Sequence, residues 1–271
     1  MMSTKKVSIV LLTGGSSGIG AATAKILADS GMTVYSASRR GTAGIPSERI
    51  RPVALDVTDP EAVRKVVEEI VEKEGHIDAV VCNAGNGIFG PVEGTTPEEA
   101  RSQFEVCYFG ALNCIQACLP HFRKQDFGRI ITVTSVMAIL QLPFQGFYSS
   151  VKAALLSISE SLTMELHGTG IQCCSVLPGD VKTGFTGARK MNAAVTPDSP
   201  YKKEMDRNLA KIEHDELNGM EPEVIGKAIA KQLGKRKMAV RVIPRLDYAA
   251  INIAVRILPE RLKLWIIRKL Y

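Results

Sequence analysis

Val7-Ser8-Ile9-Val10-Leu11-Leu12-Thr13-Gly14-Gly15-Ser16-Ser17-Gly18-Ile19-Gly20 is the stretch on which the fold turns. Val7 to Leu12 is a short apolar run with the length of a buried strand. Gly14, Gly18 and Gly20 follow, with Ser16, Ser17 and Ile19 among them, and Ala21 to Ser30 then reads as a helix closed by Gly31. Strand, tight turn and helix in this order let the backbone come close to a pyrophosphate. The helix start offers free N–H groups at the positive end of its dipole. The spacing Gly-x-x-x-Gly-x-Gly departs from the commoner Gly-x-Gly-x-x-Gly, so the flanking strand and helix carry as much weight as the glycines. A glycine-rich turn that holds no ligand is the plainer competitor.

The same rhythm continues outward. Short apolar runs lie at Val7, Thr33, Val53, Ala79, Ile130 and Ile171, with helical patterns between them. That alternation predicts an α/β fold built on a parallel sheet. A chain of 271 residues suits one such domain and leaves ample core.

A second constellation lies further on. Tyr148 and Lys152 are one helical turn apart, and Ser135 ends the β-branched run Ile130-Ile131-Thr132-Val133-Thr134. A free tyrosine has a pKa of about 10, too high for efficient proton exchange near neutral pH. An ammonium beside it favours the phenolate, so Lys152 is expected to lower the Tyr148 pKa while reaching a ribose. Ser135 can hydrogen-bond the oxygen to which Tyr148 delivers its proton. Tyr-x-x-x-Lys alone is a common chance pattern; the glycine turn upstream is what gives it chemical meaning.

Together these motifs resemble the short-chain dehydrogenase/reductase family, including its hydroxysteroid and retinol dehydrogenase-like members. The resemblance runs from about Lys5 to Val242. It takes in the glycine turn, Leu55-Asp56-Val57, Cys82-Asn83-Ala84-Gly85, the Ser135, Tyr148 and Lys152 set, and Pro178-Gly179-x-Val181-x-Thr183. It implies a Rossmann-type doubly wound sheet of about seven strands, and hydride transfer between a nicotinamide and a carbonyl or alcohol. By position it implies that Asp56 and Val57 lie near the adenine, that Asn83, Ala84 and Gly85 line the cofactor cleft, and that Pro178, Gly179, Val181 and Thr183 contact the nicotinamide side. One position departs. Cys107 stands where many relatives carry an asparagine that supports a proton relay. A thiol is a weak hydrogen-bonding group, and a buried small hydrophobe is the expectation there.

The second strand ends in Ser38-Arg39-Arg40 rather than in an acidic residue. A carboxylate would accept from a ribose 2′-OH and repel a 2′-phosphate, whereas a guanidinium binds phosphate in bidentate fashion. NADP(H) is therefore expected ahead of NAD(H). Surface arginines with no ligand are the alternative.

Composition sets the remaining bounds. Of the net charge of +6, the segment from Lys235 to Tyr271 carries +8, with ten Lys or Arg against two Asp or Glu, so the body before it carries −2. A basic tail does not make a nucleic-acid groove in the catalytic body. The six cysteines show no Cys-x-x-Cys spacing and the four histidines are scattered, so neither a metal nor a disulfide framework is expected. The polar-basic start, Met1 to Lys6, does not read as a signal peptide, and a cytoplasmic location is the expectation.

The expected domain spans residues 1–245. Within it, residues 183–221 match the region that covers the substrate in relatives. Phe185, Met191, Tyr201, Met205 and Leu209 there, with Ile88, Phe89, Phe144 and Phe147, supply apolar walls. Phe144 and Phe185 are the substrate contacts expected beside Ser135 and Tyr148. Residues 246–271 form an amphipathic helical extension in which Arg261, Arg268 and Lys269 cluster and Lys263 spoils the apolar face. Such a tail can rest on a membrane surface, close over substrate or pack on a partner subunit. The expected activity is oxidoreduction of a bulky hydrophobic ketone or secondary alcohol, a hydroxysteroid first. An acyl-dihydroxyacetone-phosphate-type or other lipid or carbonyl reductase stands second and a non-catalytic NADP(H)-binding regulator third. The family also implies a homo-oligomer built on the two long helices near Pro97–Lys124 and Tyr148–Gly168.

Overall fold

The computed structural model describes residues 6–271; the start of the chain, Met1 to Lys5, lies outside the described residues. The first half runs β1 (Ile9–Thr13), α1 (Gly18–Asp29), β2 (Thr33–Ser38), β3 (Ile50–Ala54), α2 (Pro60–Glu74), β4 (Ala79–Cys82) and the two-residue β5 (Ile88–Phe89). Then come α3 (Pro97–Phe104), a π-helical stretch (Glu105–Phe109), α4 (Gly110–Lys124), β6 (Gly128–Val133), α5 (Gly146–Glu165) and β7 (Ile171–Val176). The chain closes with α6 (Phe185–Ala188), β8 (Lys190–Met191), α7 (Lys202–Leu217), α8 (Pro222–Leu233), β9 (Arg241–Val242), α9 (Leu246–Ile257) and α10 (Glu260–Leu270).

The central sheet has seven strands in the order β3-β2-β1-β4-β6-β7-β9, and every pairing in it is parallel. All six apolar runs became strands of this sheet. Alternation of side chains divides each strand between two cores. Val10 and Leu12 join Val34, Val81, Ile131 and Val176 with Leu27 of α1 and Ile225 and Ile229 of α8. Ile9 and Leu11 join Tyr35, Val80, Ile130 and Cys173 with Val63 and Val67 of α2, Cys114 of α4 and Leu155 of α5. Both faces are covered, which is why the strands read as continuous apolar runs. The strand order reverses between β1 and β4, and that is where an open α/β sheet leaves a crevice at the carboxyl ends of its strands.

Several boundaries differ from the sequence pattern. Helix α1 begins at Gly18, not Ala21, because the glycines continue into its first turn. The expected long helix over Pro97–Lys124 is interrupted at Glu105–Phe109 by π-type turns. From Gly184 onward the chain carries the short helix α6 and then β8, which pairs in parallel with β5. No helix among the described residues is long and apolar enough to cross a membrane.

Candidate active site

The glycine turn is braced from the neighbouring strand. Gly14 has φ of +68°, and a Cβ there would lie 2.9 Å from Ala84 Cα. Asn83 Nδ2 donates to the carbonyls of Thr13 (3.0 Å) and Gly14 (3.3 Å). Thr13 Oγ1 accepts from the backbone N–H of both Asn83 and Ala84, each at 3.0 Å. Asn83 and Ala84, read from sequence as cleft lining, thus fix the turn. A Cβ on Gly20 would sit 2.1 Å from the Gly14 carbonyl oxygen, so only glycine lets the helix start pack under the turn.

A dinucleotide fits the residues present. Ser17 is the N-cap of α1 but makes no side-chain cap, and the first turn holds no acidic residue. The N–H groups of Gly18, Ile19 and Gly20 therefore lie where a phosphate can accept from them. Ser38 Oγ at the end of β2 is buried and has no hydrogen-bond partner. Arg40 Nη2 reaches across to donate to Ser16 Oγ at 3.0 Å, and both Arg39 and Arg40 are exposed. Asp56 is exposed and accepts from the backbone N–H and hydroxyl of Thr58, at 3.0 and 2.8 Å. The Thr58 N–H foremost, with the Arg39 charge a smaller influence, holds the Asp56 carboxyl below its usual range. Val57 is buried and packs where Gly110 of α4 has no side chain.

Ser135, Tyr148 and Lys152 meet at the carboxyl end of β6. Ser135 follows that strand and caps a short turn of helix, its Oγ accepting from Met137 N at 3.1 Å. Tyr148 occupies the first turn of α5 and Lys152 the next. Lys152 Nζ lies 5.7 Å from the centre of the Tyr148 ring and donates to the Val133 carbonyl at 3.0 Å. The expectation that Lys152 depresses the Tyr148 pKa is not met here. Burial dominates and pushes the phenol up, the Cys107 sulfur adds to this, and the Ser135 hydroxyl opposes it. Burial also lowers the Lys152 pKa. Burial thus keeps the phenol protonated at neutral pH and makes it a weaker acid than a free tyrosine.

Cys107 sits in the π-helical stretch and is buried. Its Sγ accepts from Asn86 N at 3.4 Å and lies 3.3 Å from Asn86 Oδ1, so it ties that stretch to the loop after β4. A Cβ on Gly85 would touch both Cys107 Sγ (3.5 Å) and Lys152 Nζ (3.7 Å), which places Gly85 beside the lysine. All six cysteines are free and buried.

On the far side, Pro178 accepts from Val136 N at 2.8 Å and so fixes the loop after β7 against the Ser135 turn. Gly179 lies under the Tyr248 ring of α9, where a Cβ would be 2.2 Å from Tyr248 Cε2. The Tyr248 hydroxyl donates to Asp180. Val181 is buried and bridges to Met220, and Thr183 stands 3.2 Å from the ideal Cβ of Gly18, close to the start of α1. Phe185 lies against Tyr148, with ring centres 5.9 Å apart. Phe144, with φ of +61°, packs on Phe89 at 5.8 Å and on Tyr201 at 6.0 Å. Phe89, Met205 and Ile212 form a buried apolar cluster joined by Phe144, Leu142, Tyr201, Leu209 and Tyr271. Met191, expected in that wall, is exposed instead.

Nothing in the sequence marks Arg189 and Glu216 as a pair. Arg189 is buried between Phe185 and α7, pairs with Glu216, and has its guanidinium 5.9 Å from the Phe185 ring. Both charges reach Tyr148, Glu216 raising and Arg189 lowering its pKa. The tail also differs from its wheel pattern. Lys263 turns inward, paired with Glu260 at 2.7 Å, and Ile267 lies beside it on the buried face. Leu262, Leu264, Trp265 and Leu270 face outward, with Trp265 58% exposed.

The model of the short chain dehydrogenase family matches residues 8–194. A 3-ketodihydrosphingosine reductase of Bacteroides thetaiotaomicron is 38% identical over 233 residues, covering 86% of either chain. A short-chain dehydrogenase from Streptomyces avermitilis superposes with a TM-score of 0.82 at 28% identity over 93% of both chains. Solved neighbours carry either nicotinamide dinucleotide. A short chain dehydrogenase of Burkholderia cenocepacia in complex with NADP has a TM-score of 0.71 at 26% identity, over 93% of this chain and 94% of that one. One of Burkholderia phymatum in complex with NAD has 0.78 at 22%, over 97% of each.

Proposed function

We propose that this chain, which belongs to the short-chain dehydrogenase family, reduces a ketone carried on a long apolar body to the secondary alcohol, with NADPH as reductant. The observation that carries the proposal is the meeting of Ser135, Tyr148 and Lys152 with the Phe185 ring packed on the phenol, together with the partly exposed Phe144 and Tyr201 over the buried Phe89 and Met205. The relative that acts on 3-ketodihydrosphingosine moves a lipid ketone ahead of a hydroxysteroid. An acyl-dihydroxyacetone phosphate stands behind both, for the electrostatic reason given below. An intact Ser-Tyr-Lys set argues against a non-catalytic binder.

The nicotinamide, when bound, supplies the hydride. Ser135 Oγ donates a hydrogen bond to the substrate oxygen and fixes its direction. The Tyr148 hydroxyl delivers its proton to that oxygen. Lys152, held by the Val133 carbonyl, offers its remaining N–H donors to a ribose and its charge to the developing phenolate. Ser38, Arg39 and Arg40 favour a 2′-phosphate, since β2 ends without a carboxylate.

Two partners belong to the same proposal. The outward apolar residues of α9 and α10 (Ile253, Ile257, Leu264 and Trp265 among them), with Arg261, Arg268 and Lys269 close by, suit an anionic lipid surface that would present the substrate. Phe109 at the end of the π-helical stretch before α4 and Met164 near the end of α5 are exposed along the long helical segments, which supports a homo-oligomer formed through them.

NADPH and NADH oxidation against a long-chain 3-keto lipid, keto-steroids, retinal and acyl-dihydroxyacetone phosphate tests the activity. Highest kcat/KM on the keto lipid with NADPH is the expected result; turnover confined to steroids, or equal use of NADH, would displace it.

A further inference from the structure

Arg189 is almost wholly enclosed, its side chain 1% exposed, yet only part of its guanidinium is used. Nη2 is engaged by Glu216, whereas Nη1 is buried and has no hydrogen-bond partner. A buried N–H donor left unmade costs about 1–3 kcal/mol. A donor of this kind, one aromatic ring away from Tyr148, lacks a partner that an arriving substrate would supply. The position fits: Arg189 stacks near Phe185, Phe185 packs on Tyr148, and the Arg189 charge is felt at the Tyr148 phenol. The seam is rigid. Lys190 N donates to the Gly87 carbonyl at 3.0 Å, β8 pairs with β5, and Asn192 Nδ2 donates to Thr95 Oγ1 at 2.8 Å.

The sign of the local charge selects what the donor can take. The Glu216 carboxylate neutralises Arg189, and its second oxygen accepts from Thr186 Oγ1 at 2.6 Å. Asp180, itself largely buried, lies within electrostatic reach of Glu216 and adds negative charge. Lys211 and Arg245 act on Asp180 from the other side, so Glu216 remains the group that balances Arg189 directly, and the free N–H beside this pair suits a neutral oxygen.

We propose that Arg189 Nη1 is the second polar anchor of the substrate pocket, taking a hydroxyl or carbonyl oxygen near the reacting ketone and discriminating against an anionic head. This rests on the reading of the site as a ketone reductase and narrows its substrate class to hydroxylated or otherwise neutral-headed lipid ketones. Ser135 and Tyr148 hold the oxygen that reacts, and Arg189 holds one that does not.

Three probes of equal chain length test it with NADPH: a long-chain methyl ketone, the matching hydroxymethyl ketone, and the phosphate monoester of the latter. The wild-type chain should turn over the methyl ketone; failure there removes the reductase reading and this anchor with it. Arg189→Lys keeps the pairing with Glu216 but has no second nitrogen to place at Nη1. It should raise KM for the hydroxymethyl ketone roughly tenfold, to the level of the methyl ketone. The ratio of kcat/KM for the hydroxymethyl ketone over the methyl ketone should fall roughly tenfold, whatever the change in absolute rate. Glu216→Gln keeps hydrogen-bonding groups but frees the Arg189 charge, so the phosphate monoester should improve at least about fivefold against the hydroxymethyl ketone. Equal losses on methyl and hydroxymethyl ketone would reduce Arg189 to a clamp between α6 and α7. A wild-type preference for the phosphate monoester, or no gain for it in Glu216→Gln, would overturn the charge argument.

Discussion

The two sides of the cleft are held together by different means. On the glycine side, the turn, the end of β4 and the start of α1 are locked by short-range backbone geometry. Asn83 and Thr13 bond backbone groups there, and two glycines sit where no Cβ fits. On the opposite side, the wall from Phe185 to Tyr271 is tied by a few side chains distant in sequence: Arg189 to Glu216, Tyr248 to Asp180, and Arg207 to the Tyr271 carbonyl at 3.0 Å. On the proposed function the first side would hold a dinucleotide and the second would select the substrate, and a scaffold tied by replaceable side chains can change its pocket without disturbing the turn.

That contrast breaks most visibly at the chemistry between the two sides. Lys152→Met removes the cation beside the phenol and leaves the Val133 carbonyl without its donor. Turnover should fall on the order of 10²–10³-fold, measured as kcat at saturating NADPH. Next comes the glycine side. Gly14→Ala forces a side chain into positive φ and against Ala84. A cost of about 1–3 kcal/mol is expected, read as lower thermal stability together with at least tenfold weaker NADPH binding by isothermal titration. The same cost with unchanged cofactor affinity would uncouple the turn from the nucleotide.

A pH profile sharpens the comparison at Tyr148 itself. Burial raises its pKa, so the proton-bearing form prevails across neutral pH. Ketone reduction should be flat from about pH 6 to 8 and decline only in alkali, whereas alcohol oxidation, which needs the phenolate, should climb with pH. An oxidation rate already at its plateau near neutral pH would mean the phenol titrates lower. The smallest effect on the fold is expected on the outer face of the tail. Leu264→Ser with Trp265→Ser removes exposed side chains only. Unfolding free energy should change by less than about 0.5 kcal/mol per site, while sedimentation with anionic vesicles should be lost. Vesicle binding that survives both changes would take the membrane contact away from α10.

Much of the fold was legible because its signals are local. A strand, a glycine turn and a helix are contiguous in Val7 to Ser30, and six apolar runs mark strands buried on both faces. Ser135, Tyr148 and Lys152 were legible for the same reason, being a strand end and one helical turn. What escaped depends on tertiary placement. Strands β5 and β8 have two residues each, too short to show a period. The Arg189–Glu216 pair spans 27 positions, and nothing in either neighbourhood marks it. Lys263 looked like a flaw in an apolar face until the structure showed that face turned outward, with the lysine buried and paired to Glu260. The tyrosine pKa was misjudged because sequence shows the neighbouring lysine but not the depth at which the phenol sits.

The most direct test of the central claim compares Tyr148→Phe with the wild-type chain in two readings on the same samples: NADPH affinity, and NADPH oxidation on a long-chain 3-keto lipid. The phenyl ring keeps its packing on Phe185 and loses only the hydroxyl. Affinity within about threefold and turnover reduced roughly 10³-fold or more is the result expected. Turnover retained within tenfold would contradict Tyr148 as the proton donor.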